Sequence, residues 1–280
     1  MTHHLTIRIN VDGLRGQLAR ALQRTILLTA AGLQGLDRLN PDFLELPVSF
    51  TMTLDPHMKW TKEELQKNYS EWILSNGFRD AIESIGALLE EAHRVLSVWD
   101  LASTHDGPMR LSGEQWNERV VSAGEKFHAL GIPHKLDHLR TTHDLTLDDR
   151  LSQHVLSINR ARNCLVHRNG IITRRDVAEA GNLVVSWRKL SYLVQDEDGE
   201  KPLQIGQRIE KDAVVCIRHD EESKSFTLGQ AINFTAPEFS EICWSLFLFG
   251  EDLVKKMNAL GVRRGIVKDA ASSPATDSKQ

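Results

Sequence analysis

Residues 151–170 read LSQHVLSINRARNCLVHRNG, and the fold class turns on them. Leu151, Val155, Ile158, Leu165 and Val166 recur at helical spacing, which predicts a helix with one apolar stripe against a core. At about 100° per residue, all five fall within about 60° of Arg162. Arg162 is therefore expected on the apolar face, where a guanidinium must find partners because leaving it unpaired costs on the order of several kcal/mol. Asn159, Asn163 and His167 are spaced by four and form a polar seam on the flank of the same helix. Asn169-Gly170 supplies a left-handed stop and puts His167 in the last turn.

Outward from this helix, the chain reads as mostly helical. Leu5, Ile7, Ile9 and Val11 alternate with polar residues and predict a short strand. Asp12 is expected to cap a helix to about Leu36 with Leu14, Leu18 and Leu22 on one side. Pro41 to Leu54 reads as extended. Thr61-Lys62-Glu63-Glu64 is a capping box opening a helix to about Ser75, and Asn76-Gly77 predicts a break or kink. Ile82, Ile85, Leu88, Leu89, Ala92, Leu96 and Trp99 then give a long amphipathic helix from Phe78 to about Ala102. Ser112 with Gln115 opens another, ending near Gly131; a short one follows from Pro133 to His138, and Thr146 is expected to cap the central helix.

Past Gly170 the character changes to short apolar or β-branched runs at 183–185, 190–194, 213–217 and 225–228. Turn signals separate them, which predicts a small antiparallel sheet. Thr235-Ala236-Pro237-Glu238 starts a final helix, apolar over much of its surface from Phe239 to Met257. The expected organisation is an extension over 1–59, a helical core over 60–180 and a β insertion over 181–234. A closing helix over 235–262 and a disordered polar tail over 263–280 complete it.

The 280 residues are 41% hydrophobic and 26% charged, the composition of a soluble globular chain with room for a full core. Charge is unevenly placed along a chain whose net value is −4. Residues 140–175 hold seven arginines against three aspartates, whereas 195–222 hold nine acids against four bases. A local basic patch of this kind attracts phosphates even on an acidic protein. Three widely spaced cysteines predict neither a zinc ribbon nor a disulfide framework and suit a reducing, cytoplasmic setting. No apolar run approaches the roughly 20 residues of a membrane span.

Arg162-Asn163-Cys164-Leu165-Val166-His167 is an arginine followed by histidine after four intervening positions, with a polar residue next to the arginine and Asn-Gly shortly after. It resembles the Arg-x(4–6)-His motif of the HEPN superfamily, with the resemblance extending over 60–170 and 236–257. The resemblance implies a mainly α, HEPN-like antiparallel helical bundle, here with a small antiparallel β insertion. It further implies a homodimer whose two motifs share one cleft, and in many members a metal-independent endoribonuclease of bacterial defence or toxin systems, with a possible operon partner or antitoxin. On that reading His167 is the acid or base, Arg162 the phosphate clamp and Asn163 their orienter. Non-catalytic members instead bind nucleotides, RNA or proteins.

Arg160, Arg168, Arg174, Arg175 and Asn159 are the candidate RNA-binding residues around the motif. Asp148 and Asp149 suit the dipole at the start of the helix rather than a metal. The His134/His138 and His138/His143 pairs lack an HExxH or carboxylate pattern, so no metal and no cofactor is expected. GxxxxGK[ST], GxGxxG and GxSxG are all missing from the sequence.

Overall fold

The computed structural model describes residues 10–39, 60–103, 113–177, 181–196, 199–203, 208 and 213–267. They form a mainly α structure with one small sheet. The helices are α1 (Val11–Gln34), α2 (Lys62–Ser103), α3 (Gly113–Trp116), α4 (Ala123–His128), α5 (Ile132–His143), α6 (Asp149–His167) and α7 (Ala236–Arg263). A π-helical segment, Asn117–Ser122, joins α3 to α4. Three antiparallel strands, β1 (Asn182–Asp196), β2 (Gly199–Pro202) and β3 (Val214–Thr227), lie in the order β2-β1-β3. The predicted strand before Val11, the extended stretch at 41–54, the Ser112 helix start and the tail beyond 267 fall outside the described residues; the first residues of the predicted disordered tail are ordered instead, Arg263 ending α7 and Arg264 hydrogen-bonded to Asp100. No helix among the described residues is long and apolar enough to cross a membrane.

The chain divides into two compact units, one within Met1–Arg20, Glu83–Leu156 and Leu246–Gln280, the other within Ala21–Ile82 and Ser157–Ser245. In the first, Val11 begins α1 rather than ending a strand. The cap is Asn10, whose Oδ1 accepts the Gly13 N–H at 3.0 Å, in place of the expected Asp12. Leu14 and Leu18 are buried as predicted, with Ile85, Leu89, Leu96, Phe249 and Met257. Asp148, not Thr146, caps α6, its Oδ1 accepting the Leu151 N–H at 2.9 Å. The Asp148 N–H itself donates to Asp252 at 2.8 Å. Helix α5 runs five residues beyond the predicted His138. It ends where Asp144 turns left-handed at φ +57° and Arg264 donates to the His143 carbonyl at 2.7 Å, satisfying a carbonyl the helix leaves open.

In the second unit the Thr61 capping box forms in both directions, Thr61 N–H to Glu64 at 2.9 Å and Glu64 N–H to Thr61 Oγ1 at 3.2 Å. Asn76-Gly77 does not break α2, which continues unbroken for 42 residues. A Cβ on Gly77 would lie 2.5 Å from Thr29 Oγ1 and 3.0 Å from Phe239 Cζ. The glycine thus allows close approach of α2 to α1 and α7 rather than a turn. Strand β1 pairs with β3 from Asn182↔Thr227 to Gln195↔Val214. Leu183, Val185 and Trp187 face inward with Phe226, and side chains fasten the sheet to the helices. Ser157 accepts the Ser186 N–H at 3.0 Å, Ser245 accepts that of Arg188 at 3.0 Å, and Trp187 donates to Glu241 at 2.9 Å. Among the described residues β3 is an outer strand, and Val214, Val215 and Ile217 on it are exposed.

Candidate functional site

The motif residues all lie on the last three turns of α6, in the second unit. The predicted stop is present: Asn169 and Gly170 adopt φ +52° and +75°, and the Gly170 N–H donates to the Cys164 carbonyl at 3.2 Å. The apolar face, however, is not centred on Arg162. From Ser157 onward the buried residues include Ile158, Ala161 and Cys164, while Val166 is 37% exposed. The chain leaving the helix accounts for this rotation. It folds back over the Cys164 side, where the thiol donates to the Ile171 carbonyl at 3.2 Å. Arg162 is consequently half-buried at the margin of the apolar face rather than at its centre, with its Nε covered.

Arg162 Nη1 donates to the side-chain oxygen of Asn163 at 3.1 Å. That contact leaves the amide nitrogen of Asn163 as a donor. His167, the final residue of α6, is exposed, as are Arg160, Arg174 and Arg175. Five residues along a helix place Arg162 and His167 about 140° apart around its axis. Two predicted contacts are placed elsewhere. Asn159 is buried at 8% exposure, which removes it from any surface ligand. Arg168 is ion-paired with buried Asp176, so it braces the turn after α6. Burial alone would raise the Asp176 pKa, but hydrogen bonds from Thr173 and Arg168 outweigh it and hold the carboxylate ionised. Cys164 and Cys243 are free and buried; burial raises the pKa of both, that of Cys243 to about 12, so neither suits thiolate chemistry.

A second constellation, in the first unit, was hidden from motif reading because its members come from two distant helices. α2 supplies His93 and Asp100; α5 supplies His138 and His143. His93 Nδ1 lies 2.9 Å from His143 Nε2, and His143 Nδ1 lies 2.6 Å from Asp100 Oδ2. Arg264, the residue after α7, holds the other carboxylate oxygen at 2.5 Å. His93 stacks on Phe127 with ring centres 4.2 Å apart and planes 10° from parallel, and His138 approaches both rings edge-on. His93 and His143 are buried, 3% and 2% exposed, and His138 is half-buried. Burial lowers the pKa of His93 to about 4, and it lowers that of His143 despite the carboxylate of Asp100. One signal was available in sequence: His93 sits on the apolar stripe of α2, four residues after Leu89 and three before Leu96.

No family model, curated protein or solved structure matches this chain, so its function is read from its own residues and their geometry.

Proposed function

We propose that the chain is a HEPN-like, metal-independent endoribonuclease that acts as a homodimer, in a bacterial defence or toxin-type setting. The observation that carries this reading is the end of α6, where a half-buried Arg162 is held by Asn163 and followed five residues later by an exposed His167. Cleaving RNA without a metal needs a base for the 2′-hydroxyl proton and a cation for the charge building on phosphorus. It also needs an acid for the departing 5′-oxygen. Imidazole serves as base or acid near neutral pH. Guanidinium binds two phosphate oxygens at once, and the Asn163 contact limits its freedom before substrate arrives.

One chain offers a single histidine in the motif, about 140° around the helix from its arginine. A second copy related by a two-fold axis supplies the other histidine and lets each arginine serve the partner's reaction centre. The 2′-oxygen attacks phosphorus as the first histidine takes its proton. The second protonates the 5′-oxygen as its bond to phosphorus breaks, leaving a 2′,3′-cyclic phosphate and a 5′-hydroxyl. Exposed Arg160, Arg174 and Arg175 suit the flanking phosphates.

The test is end-labelled RNA incubated with the full-length protein in EDTA, with circular dichroism showing that the chelator leaves the fold intact. Cleavage to a 2′,3′-cyclic phosphate that disappears in His167→Ala and Arg162→Ala, both still folded, supports the enzyme. RNA binding without any cleavage assigns the chain instead to the non-catalytic binding modules.

A further inference from the structure

We propose that His93, His138 and His143 form a binding site for one divalent zinc-class ion, separate from the α6 motif. Their donor atoms all lie within 4.8 Å of one another, the one such group of three found among the described residues. A tetrahedral ion bound at 2.0–2.1 Å sets its nitrogen ligands roughly 3.3 Å apart. The widest gap must therefore close by at most about 1.5 Å and the His93–His143 pair must open slightly, changes within the reach of side-chain torsions.

The hydrogen bonds around the cluster prepare it for a cation. A carboxylate only accepts, so the 2.6 Å contact to Asp100 fixes the proton of His143 on Nδ1 and leaves Nε2 as a lone pair facing the other rings. Arg264 anchors the same carboxylate and the backbone of His143, making a guanidinium–carboxylate–imidazole chain of the kind that orients metal-binding histidines. His93 Nδ1 then donates to His143 Nε2, which leaves its buried Nε2 without a hydrogen bond among the described residues. Binding of an ion through Nδ1 moves that proton to Nε2, so no proton is lost overall and the one bond given up is replaced by two to the metal. Phe127 covers one face of His93, and half-buried His138 marks the side open to solvent, where water takes the fourth position. Three neutral imidazoles with no thiolate select zinc or cobalt(II) over calcium or magnesium.

The experiment titrates chelator-stripped, full-length protein with zinc chloride by calorimetry and with cobalt(II) by visible absorption. One ion per chain is expected, with the intense bands of four-coordinate cobalt and a melting temperature that rises with zinc. Replacing His93 or His143 also removes core contacts, so the decisive variants lie elsewhere. His138→Ala is expected to weaken zinc at least tenfold. Asp100→Asn, which acts through His143, is expected to weaken it 10–100-fold, with a fold intact by circular dichroism. His134→Ala, exposed on the same helix, is expected to bind as the parent does. Absence of saturable zinc binding by the folded protein, or a His138→Ala effect below tenfold, overturns the site. RNA cleavage is not read in this experiment, so the site stands or falls independently of the nuclease.

Discussion

Helix α2 carries two glycines whose replacement by alanine is expected to act in opposite directions. At Gly86 an added Cβ meets nothing within 4 Å, so Gly86→Ala gains only the difference in helix propensity, about 1 kcal/mol. At Gly77 the same gain is opposed by contacts of 2.5 Å to Thr29 Oγ1 and 3.0 Å to Phe239 Cζ. Thr29 and Phe239 are 5% and 3% exposed, so neither has solvent to move into. Forcing a methyl into such packing costs about 1–3 kcal/mol, and with little room to yield the upper half of that range applies. Gly77→Ala is then destabilising by about 1–2 kcal/mol net while Gly86→Ala is stabilising by about 1. Urea titrations followed by circular dichroism read both, and Thr29→Ala in the Gly77→Ala background should recover part of the loss. If both alanines stabilise to the same extent, the close-approach explanation of the unbroken helix is wrong.

Other outcomes follow from contacts already described. Arg168→Met strips the buried Asp176 of its cation but leaves its Thr173 bonds, and is expected to cost about 1–3 kcal/mol near neutral pH, measured by chemical denaturation. Because the folded-state pKa of Asp176 is depressed, its stabilising contribution is present above the ordinary value of 3.8 and is lost as pH falls through the lower folded value. The gap between Arg168→Met and the parent should therefore narrow in that acid window, and a gap independent of pH would contradict the pairing. On the nuclease reading, Arg174→Ala and Arg175→Ala each weaken RNA binding across sequences and reduce the salt slope by about 0.7 on single strands. Filter binding between low and moderate salt measures this, and unchanged slopes would remove both residues from the RNA path.

Much of the helical frame was legible because local signals and burial agreed. The Thr61 capping box, the leucines of α1 and the Asn169-Gly170 stop each depend on residues a few positions apart. Gly77 was misread because a glycine after asparagine resembles a break in sequence, whereas its meaning lies in Thr29 and Phe239, residues remote along the chain. Arg162 was placed too deep for a similar reason: periodicity gives the angle between side chains but not which side the returning chain at 171–176 will cover. The histidine cluster needed α5 to be brought against α2 across about 45 residues of chain. No spacing rule reports that, although a histidine on the apolar stripe of α2 was a visible irregularity.

The outer strand β3 has a consequence for how the protein survives synthesis at high concentration. Val214-Val215-Cys216-Ile217 is uncharged and β-rich, with Val214, Val215 and Ile217 exposed on a strand that is outermost among the described residues, the composition that invites neighbouring chains to add on. Arg218, Asp220, Glu221 and Glu222 follow at once and act as gatekeepers. Neutralising them should leave the melting temperature nearly unchanged and show itself first as lost soluble yield, so this charged stretch of β3 protects the chain's solubility more than its folding stability.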